Sequence, residues 1–278
     1  MKKTYVIGEI GINHNGCLET VEKLVETSKL AGFDAVKFQK RNPNICVPEN
    51  QKLKIKETPW GKISYLQYKH KLEFSRTEYD QINFLCKAKN IDWSASPWDI
   101  DSAEFLLKYN LPWIKIASAS ITNLPLLEYC SQNYSKILMS TGMSTEQEIE
   151  KAYEILSKNN NEIVVLHCNS EYPTPPENVN LNYIKTLQSK FPSSVIGYSG
   201  HEYGLTTTIC AAALGAKYIE RHITLDKTMW GSDQMVSIEP HGMFKLIRGI
   251  REIEMATGTK VKKFTNEEKE KRKTLSTT

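Results

Sequence analysis

Lys37, Lys115 and Glu220 stand inside short runs of β-branched and aromatic residues, AVKFQ, WIKIA and KYIERH, whose other members are mostly apolar. A charge left unpaired in such a setting costs several kcal/mol. These residues therefore either pair with one another in a closed network or meet a ligand. Ser118, Ser140 and Ser199 end similar runs and add hydroxyls to the two ammonium groups, a combination suited to an anion such as phosphate or carboxylate. His201 and His222 end two further runs, and Glu220 lies two residues before His222, on the same face of an extended strand. Two imidazoles with open positions for water and substrate oxygens suit a catalytic divalent cation. Glu9 ends the first run, with Asn13 and His14 beyond it, while Gln39, Ser94, Ser96, Thr141, His167, Asn169, Ser170 and Tyr172 are the remaining polar groups at run ends. His14 fits an inside position and a cap of the first turn equally well; His70 and His241 read as loop and helix-start residues.

The elements that must position these groups alternate. Strands are expected at Tyr5–Ile10, Ala35–Gln39, Asp92–Ser96, Trp113–Ala117, Lys136–Ser140, Glu162–His167, Ser194–Tyr198 and Lys217–His222. Helical periodicity follows each, at Thr20–Ala31, Thr77–Asn90, Asp101–Tyr109, Leu124–Gln132, Thr145–Ser157, Asn180–Lys190, Leu205–Leu214 and Pro240–Ala256. Ser144 and Thr145 precede Glu146 and Glu148 as an N-terminal cap, and Gly32 and Gly215 follow helices where a left-handed residue is wanted. Eight such pairs at roughly 35 residues each predict an α/β chain of the (β/α)8 TIM-barrel class, whose active site lies at the C-terminal ends of the strands. The expected organisation is a single barrel domain over residues 1–264, with a long loop at about 40–75 as a lid or oligomer contact, and a solvated charged tail over 265–278.

Composition narrows the function. The 278 residues carry 36 Lys+Arg against 32 Asp+Glu, a net charge of +4. Much of that surplus falls between Lys260 and Lys273, so charge gives no argument for nucleic-acid binding. Apolar stretches fall far short of the ~20 residues that span a bilayer, and the start MKKTYVIGEIG lacks a signal-type apolar region, which predicts a cytoplasmic protein. The six cysteines show no CxxC pair and read as small core hydrophobes, with Cys168 alone beside a candidate site.

Seven ordered segments carry a more specific signal: GEIGINHNG from Gly8, VKFQ from Val36, IKIAS from Ile114, STGM from Ser140, HCNSEYP from His167, GYSGH from Gly197 and ERHIT from Glu220. In this order they resemble the sialic acid synthase family, which condenses phosphoenolpyruvate with an N-acetylated amino sugar to make nine-carbon 2-keto sugar acids. The resemblance implies a divalent metal, manganese or magnesium, at His201 and His222. It implies that Lys37, Lys115, Ser118, Ser140 and Ser199 hold the phosphate and carboxylate of phosphoenolpyruvate, with Ser170 and Tyr172 beside them. Glu9 would handle the sugar or the attacking water, Glu220 would stand among the catalytic groups with Lys115, and Gln39, Asp233, Asn13 and Ser120 would lie at the sugar side.

Departures from the family pattern shape the expectations. Ser120 stands where relatives usually carry an acidic residue that approaches the sugar, and the sequence stops near where relatives continue into a small antifreeze-like domain. The expected consequences are a preference for a 6-deoxy diacetamido sugar over N-acetylmannosamine, or a separate protein that completes the site; a homodimer is the expected assembly. The alternatives are a related phosphoenolpyruvate-condensing synthase acting on a phosphorylated sugar, and an inactive sugar-binding subunit.

Overall fold

A computed structural model describes residues 3–277; Met1, Lys2 and Thr278, at the ends of the expected barrel domain and tail, lie outside the described residues. Eight parallel strands form the barrel: β1 (Tyr5–Gly11), β2 (Ala35–Lys40), β3 (Asp92–Pro97), β4 (Ile114–Ile116), β5 (Lys136–Ser140), β6 (Glu162–Cys168), β7 (Val195–Gly200) and β8 (Tyr218–His222). Each strand pairs with its chain neighbour except β3 with β4, and β1 pairs with β8. The β3–β4 seam is closed instead by the Ser94 hydroxyl, which donates to the Trp113 carbonyl. The connecting helices are α1 (Leu18–Ala31), α2 (Arg76–Ala88), α3 (Ile100–Leu107), α4 (Leu124–Asn133), α5 (Glu146–Ser157), α6 (Tyr183–Lys190), α7 (Thr206–Ala213) and α8 (Pro240–Ala256).

Local chemistry explains the boundaries. Thr145 and Glu148 cap α5 reciprocally, and Gly32 and Gly215 leave α1 and α7 at φ values of 94° and 100°, where an L side chain is strained. Helices present their buried stripes to the outer face of the sheet, where Val21, Leu24, Leu126, Leu187 and Leu246 join one large core.

Inside the barrel, side chains change character along each strand. Ile7, Ala35, Trp113, Leu138 and Leu166 form an apolar cluster. Two residues further on, and so on the same face, stand Glu9, Lys37, Lys115, Ser140 and Cys168. The apolar layer is the floor; the polar layer above it opens at the strand C-termini.

Two expectations need correction. The segment 40–75 is not an unstructured loop: it holds a short hairpin, Ile55–Thr58 against Gly61–Ser64, and a helix, Tyr65–Leu72, capped by Ser64 and Gln67. Its Tyr68 and Leu72 pack on Ile12, and Tyr68 meets Trp230 edge-on with ring centroids 5.0 Å apart. The residues after 264 are helical too, α9 (Asn266–Leu275), because Thr265 and Glu268 make a capping box and Glu270 pairs with Lys273. None of α9 is buried, so its solvated character holds.

Gly197 on β7 shows how tightly the wall is packed. A Cβ there would lie 2.4 Å from Leu166 Cδ2 and 2.5 Å from the Tyr218 carbonyl oxygen, and the backbone atom cannot move aside cheaply. Gly197→Ala is therefore expected to destabilise the barrel by about 1–3 kcal/mol or more, read as a lowered Tm in thermal unfolding; an unchanged Tm would contradict this packing.

Candidate active site

Parallel register places the polar groups at one level. Glu9 is the ladder partner of His222 on one side and Lys37 on the other, Lys37 lies level with Ser94, and Glu220 lies level with Ser199. They surround a cavity of about 220 Å³ at the strand C-termini, lined by Glu9, Lys37, Gln39, Lys115, Ser118, Ser140, Ser170, Tyr172, Ser199, His201, Glu220 and His222.

The charges are paired, and they also face the cavity. Lys37 Nζ lies 2.7 Å from Glu9 Oε2 and 4.0 Å from Glu220 Oε2, and donates to Ser96 Oγ at 2.9 Å. Lys115 Nζ donates to both Glu220 oxygens at 3.0 and 3.2 Å, and Ser199 Oγ donates to Glu220 Oε1 at 3.0 Å. Glu220 thus bridges the lysines. Burial disfavours its ionised form, yet the charges of Lys115 and Lys37 outweigh that and hold its carboxyl down at about 2. Glu9 meets the opposite balance: burial, with the Glu220 charge added, overcomes Lys37 and pushes its carboxyl up to about 7. Burial also works against the Lys37 ammonium, but Glu220 and Glu9 keep its pKa raised.

Unsatisfied donors point to a ligand. The Ser140 and Ser170 hydroxyls are buried with no hydrogen-bond partner among the described residues, which for a buried polar group is exceptional. Ser118 accepts the Gly142 amide at 3.1 Å, drawing the β5 turn against the cavity.

The two histidines lie with ring centroids 5.3 Å apart, and Tyr172 stacks on His201 at 4.1 Å. His201 Nδ1 donates to the Asn169 carbonyl at 2.6 Å, which leaves Nε2 to carry the lone pair when the ring is neutral; burial works against the charged ring, but Cys168 and that carbonyl keep its pKa raised. His222 Nδ1 is buried without a hydrogen-bond partner among the described residues, 3.8 Å from Asp233 Oδ2. Burial, only partly opposed by Asp233, lowers its pKa to about 3, so it stays neutral as a metal ligand must. Among the described residues no three His, Cys, Asp or Glu side chains converge around one point. The donor set therefore fits an open cation site on two imidazoles and does not fit a closed structural one.

Some expected residues lie elsewhere. Asn13 is buried away from the cavity, donating to the Ile223 carbonyl at 2.9 Å and to Ser237 Oγ at 2.8 Å, so it ties the loop after β1 to the loop after β8. Ser120 is buried and does not line the cavity. It ends a 3₁₀ turn, Ser118–Ser120, and a three-residue period that presents Ser118 inward turns the residue two positions on to another side. Asp233 sits at the rim beside His222 rather than in the wall. His14 is buried, stacked on Phe74 with centroids 4.3 Å apart, and accepts the Gly16 amide: it is both inside the fold and a turn cap, without reaching the cavity. Trp98, Met143 and Cys168 line the cavity as well. Trp98 and Met143 carry no charge to betray them, although Trp98 directly follows β3 and Met143 closes the STGM segment after β5. Arg41 stacks on Trp98 at 4.3 Å and donates to Gln39, whose amide in turn donates to Glu9 Oε1 at 3.2 Å.

A (β/α)8 barrel with an anion-suited, two-histidine cavity at its strand C-termini defines the class of a strand-end enzyme. Comparison with known proteins narrows this. The model of the NeuB family matches residues 24–262, and the chain belongs to that family. It is 39% identical over 91% of its length to an N-acetylneuraminate-9-phosphate synthase of Drosophila melanogaster, of which it spans 68%. It is also 39% identical over 96% of its length to an N,N'-diacetyllegionaminic acid synthase of Campylobacter jejuni, of which it spans 81%. Among solved structures, an N-acetylneuraminic acid synthetase from Leptospira borgpetersenii, in complex with citrate, superposes with a TM-score of 0.87 at 30% identity, covering all of this chain and 94% of that one.

A carboxyl that releases its proton only near neutrality is a base that switches on as pH rises. The rate is accordingly expected to climb through about pH 7, and Glu9→Gln to remove that limb along with most of the turnover. A Glu9→Gln enzyme with the same acid limb would assign it to another group.

Proposed function

We propose that this chain condenses phosphoenolpyruvate with an N-acetylated amino sugar to form a nonulosonic acid, releasing phosphate by C–O cleavage. The observation that carries the reading is the strand-end layer in which two buried lysines and unsatisfied serine hydroxyls stand beside a pair of imidazoles. Relatives of both the neuraminate and legionaminate kinds support it.

Lys37 and Lys115, with Ser118, Ser140, Ser170 and Ser199, bind the phosphate and carboxylate of phosphoenolpyruvate and so present its C3 carbon to the open-chain sugar aldehyde. Attack by C3 opens the sugar C=O, whose oxygen becomes an alkoxide that takes up the proton Glu9 gains in the next step, and leaves positive charge at C2, where a water adds. Glu9 takes the proton of that water, and the resulting tetrahedral hemiketal phosphate expels phosphate, leaving the 2-keto acid. Glu220 holds both ammonium groups in place and Gln39 orients Glu9. A divalent cation, Mn²⁺ or Mg²⁺, held by His201 and His222 would supply Lewis-acid polarisation of the sugar carbonyl.

Lys40 and Arg41, a basic pair beside the cavity, both pair with Glu73 at 3.2 Å, and the sugar panel below separates a phosphorylated from an unphosphorylated substrate. Asp233 and Tyr172 at the rim face the sugar side. A homodimer, or a separate protein, is proposed to complete that rim. No helix among the described residues is long and apolar enough to cross a membrane, in keeping with the cytoplasmic location that we propose.

The test is Mn²⁺-dependent phosphate release from phosphoenolpyruvate across a panel of N-acetyl amino sugars, phosphorylated and not. His201→Ala and His222→Ala are expected to abolish it while leaving the circular dichroism spectrum unchanged, and a chelator to do the same. Histidine variants with normal turnover would remove the metal from this reading; release with none of the sugars would overturn the reading itself. Lys115→Ala is expected to raise the KM for phosphoenolpyruvate about tenfold or more, since a charge-assisted contact is worth about 1.5–3 kcal/mol. An effect confined to the sugar KM would place Lys115 in the other subsite.

A further inference from the structure

Behind the cavity wall lies a second buried ionic cluster that the reaction does not touch. Arg221 stands between Glu220 and His222, so strand alternation turns it to the outer face of β8, and both Arg221 and Glu202 are only 1% exposed. Arg221 Nη1 donates to Glu202 Oε1 and to the Gly204 carbonyl, each at 3.0 Å, and to Thr208 Oγ1 on α7 at 2.6 Å; its Nη2 donates to the Glu202 carbonyl at 2.6 Å. Glu202 Oε1 also accepts the Thr208 hydroxyl at 2.6 Å, and its Oε2 accepts the Tyr198 hydroxyl at 2.8 Å. The fit around it is close: a Cβ on Gly200 would come within 2.5 Å of Glu202 Oε2 and 2.6 Å of Tyr198 Cε1.

A buried ion pair is a poor means of gaining stability, because apolar side chains of similar volume serve as well or better. Its placement points to a geometric task. Glu202 directly follows His201 and Arg221 directly precedes His222. The pair therefore clamps the ends of β7 and β8 at the two residues adjoining the imidazoles, and the Glu202 carbonyl is held by the same guanidinium. The His201 carbonyl is fixed in turn by the Thr174 amide at 3.1 Å. We propose that Glu202 and Arg221 are positioning residues which set the spacing of His201 and His222, and through it the affinity of the site for a divalent cation. This rests on the reading that the two histidines hold that cation.

The experiment is a Mn²⁺ titration of the full chain, following the electron paramagnetic resonance signal of the free ion, for the wild type, the Glu202→Gln/Arg221→Met double variant and Tyr198→Phe. Circular dichroism and thermal melts monitor the fold. Removing both charges together avoids leaving either one buried alone. The double variant is expected to remain folded, to bind Mn²⁺ about tenfold more weakly or worse, and to regain kcat when Mn²⁺ is raised, which a merely structural defect would not allow. Tyr198→Phe should shift Kd in the same direction by less. A double variant that melts early yet binds Mn²⁺ like the wild type overturns the proposal and leaves the histidine reading intact. A wild type that binds no Mn²⁺ overturns both. Should the double variant fail to fold, Tyr198→Phe decides: a weaker Kd supports the clamp and an unchanged one refutes it.

Discussion

Two lysines and two carboxylates share one layer of a closed barrel, and the remaining structure answers to that constraint. Charges of this kind are tolerated in an interior only when each is met by an opposite charge or a hydroxyl. Here Glu220 is met by Lys115, Lys37 and Ser199, and Lys37 by Glu9, Glu220 and Ser96. Meeting those partners demands that β1, β2, β3, β4, β7 and β8 hold a fixed register, because a slip of one residue would exchange every inward side chain for an outward one. The apolar floor of Ile7, Trp113, Leu138 and Leu166 supplies that register, and removes water from beneath the charges.

The same arrangement explains why the two carboxylates behave differently within one layer. Glu220 has two ammonium groups within 4.0 Å and stays ionised; Glu9 has one, shares it, and is driven toward its neutral form by burial. Environments that push the pKa values of like groups in opposite directions distinguish a structural anion from a proton carrier.

Much of this is legible in the chain because the signals are local. A charge inside an apolar run of period two announces an inward strand position at a barrel mouth, and Lys37, Lys115, Glu220 and His222 all carry that mark. The strands and helices are readable for the same reason, since each has its own period and some, such as α5, carry a capping box as well. What stays hidden depends on partners distant in sequence or on irregular turns. Trp98 and Met143 carry no charge, and Ser120 escapes the strand rule because one residue of a 3₁₀ turn alters which side chain faces inward. Arg221 resembles any strand-edge cation, for its partner Glu202 lies on the opposite side of α7 in the sequence. The segment 40–75 has the look of a loop because its elements are short and its packing partner, Trp230, belongs to the loop after β8.

The pairing of β1 with β8 has a consequence for the chain as it is made. Glu9 draws its two ladder neighbours from opposite ends of the barrel, Lys37 soon after it and His222 far later. Until β8 leaves the ribosome the sheet has open edges and its inward ammonium groups remain hydrated. Desolvation of the charged layer therefore comes as one late event when the two edges meet, and contacts of such wide sequence separation form slowly. A nascent chain of this kind spends its synthesis with unpaired strand edges, the state in which a barrel is most open to association with its neighbours and most in need of a chaperone's shelter.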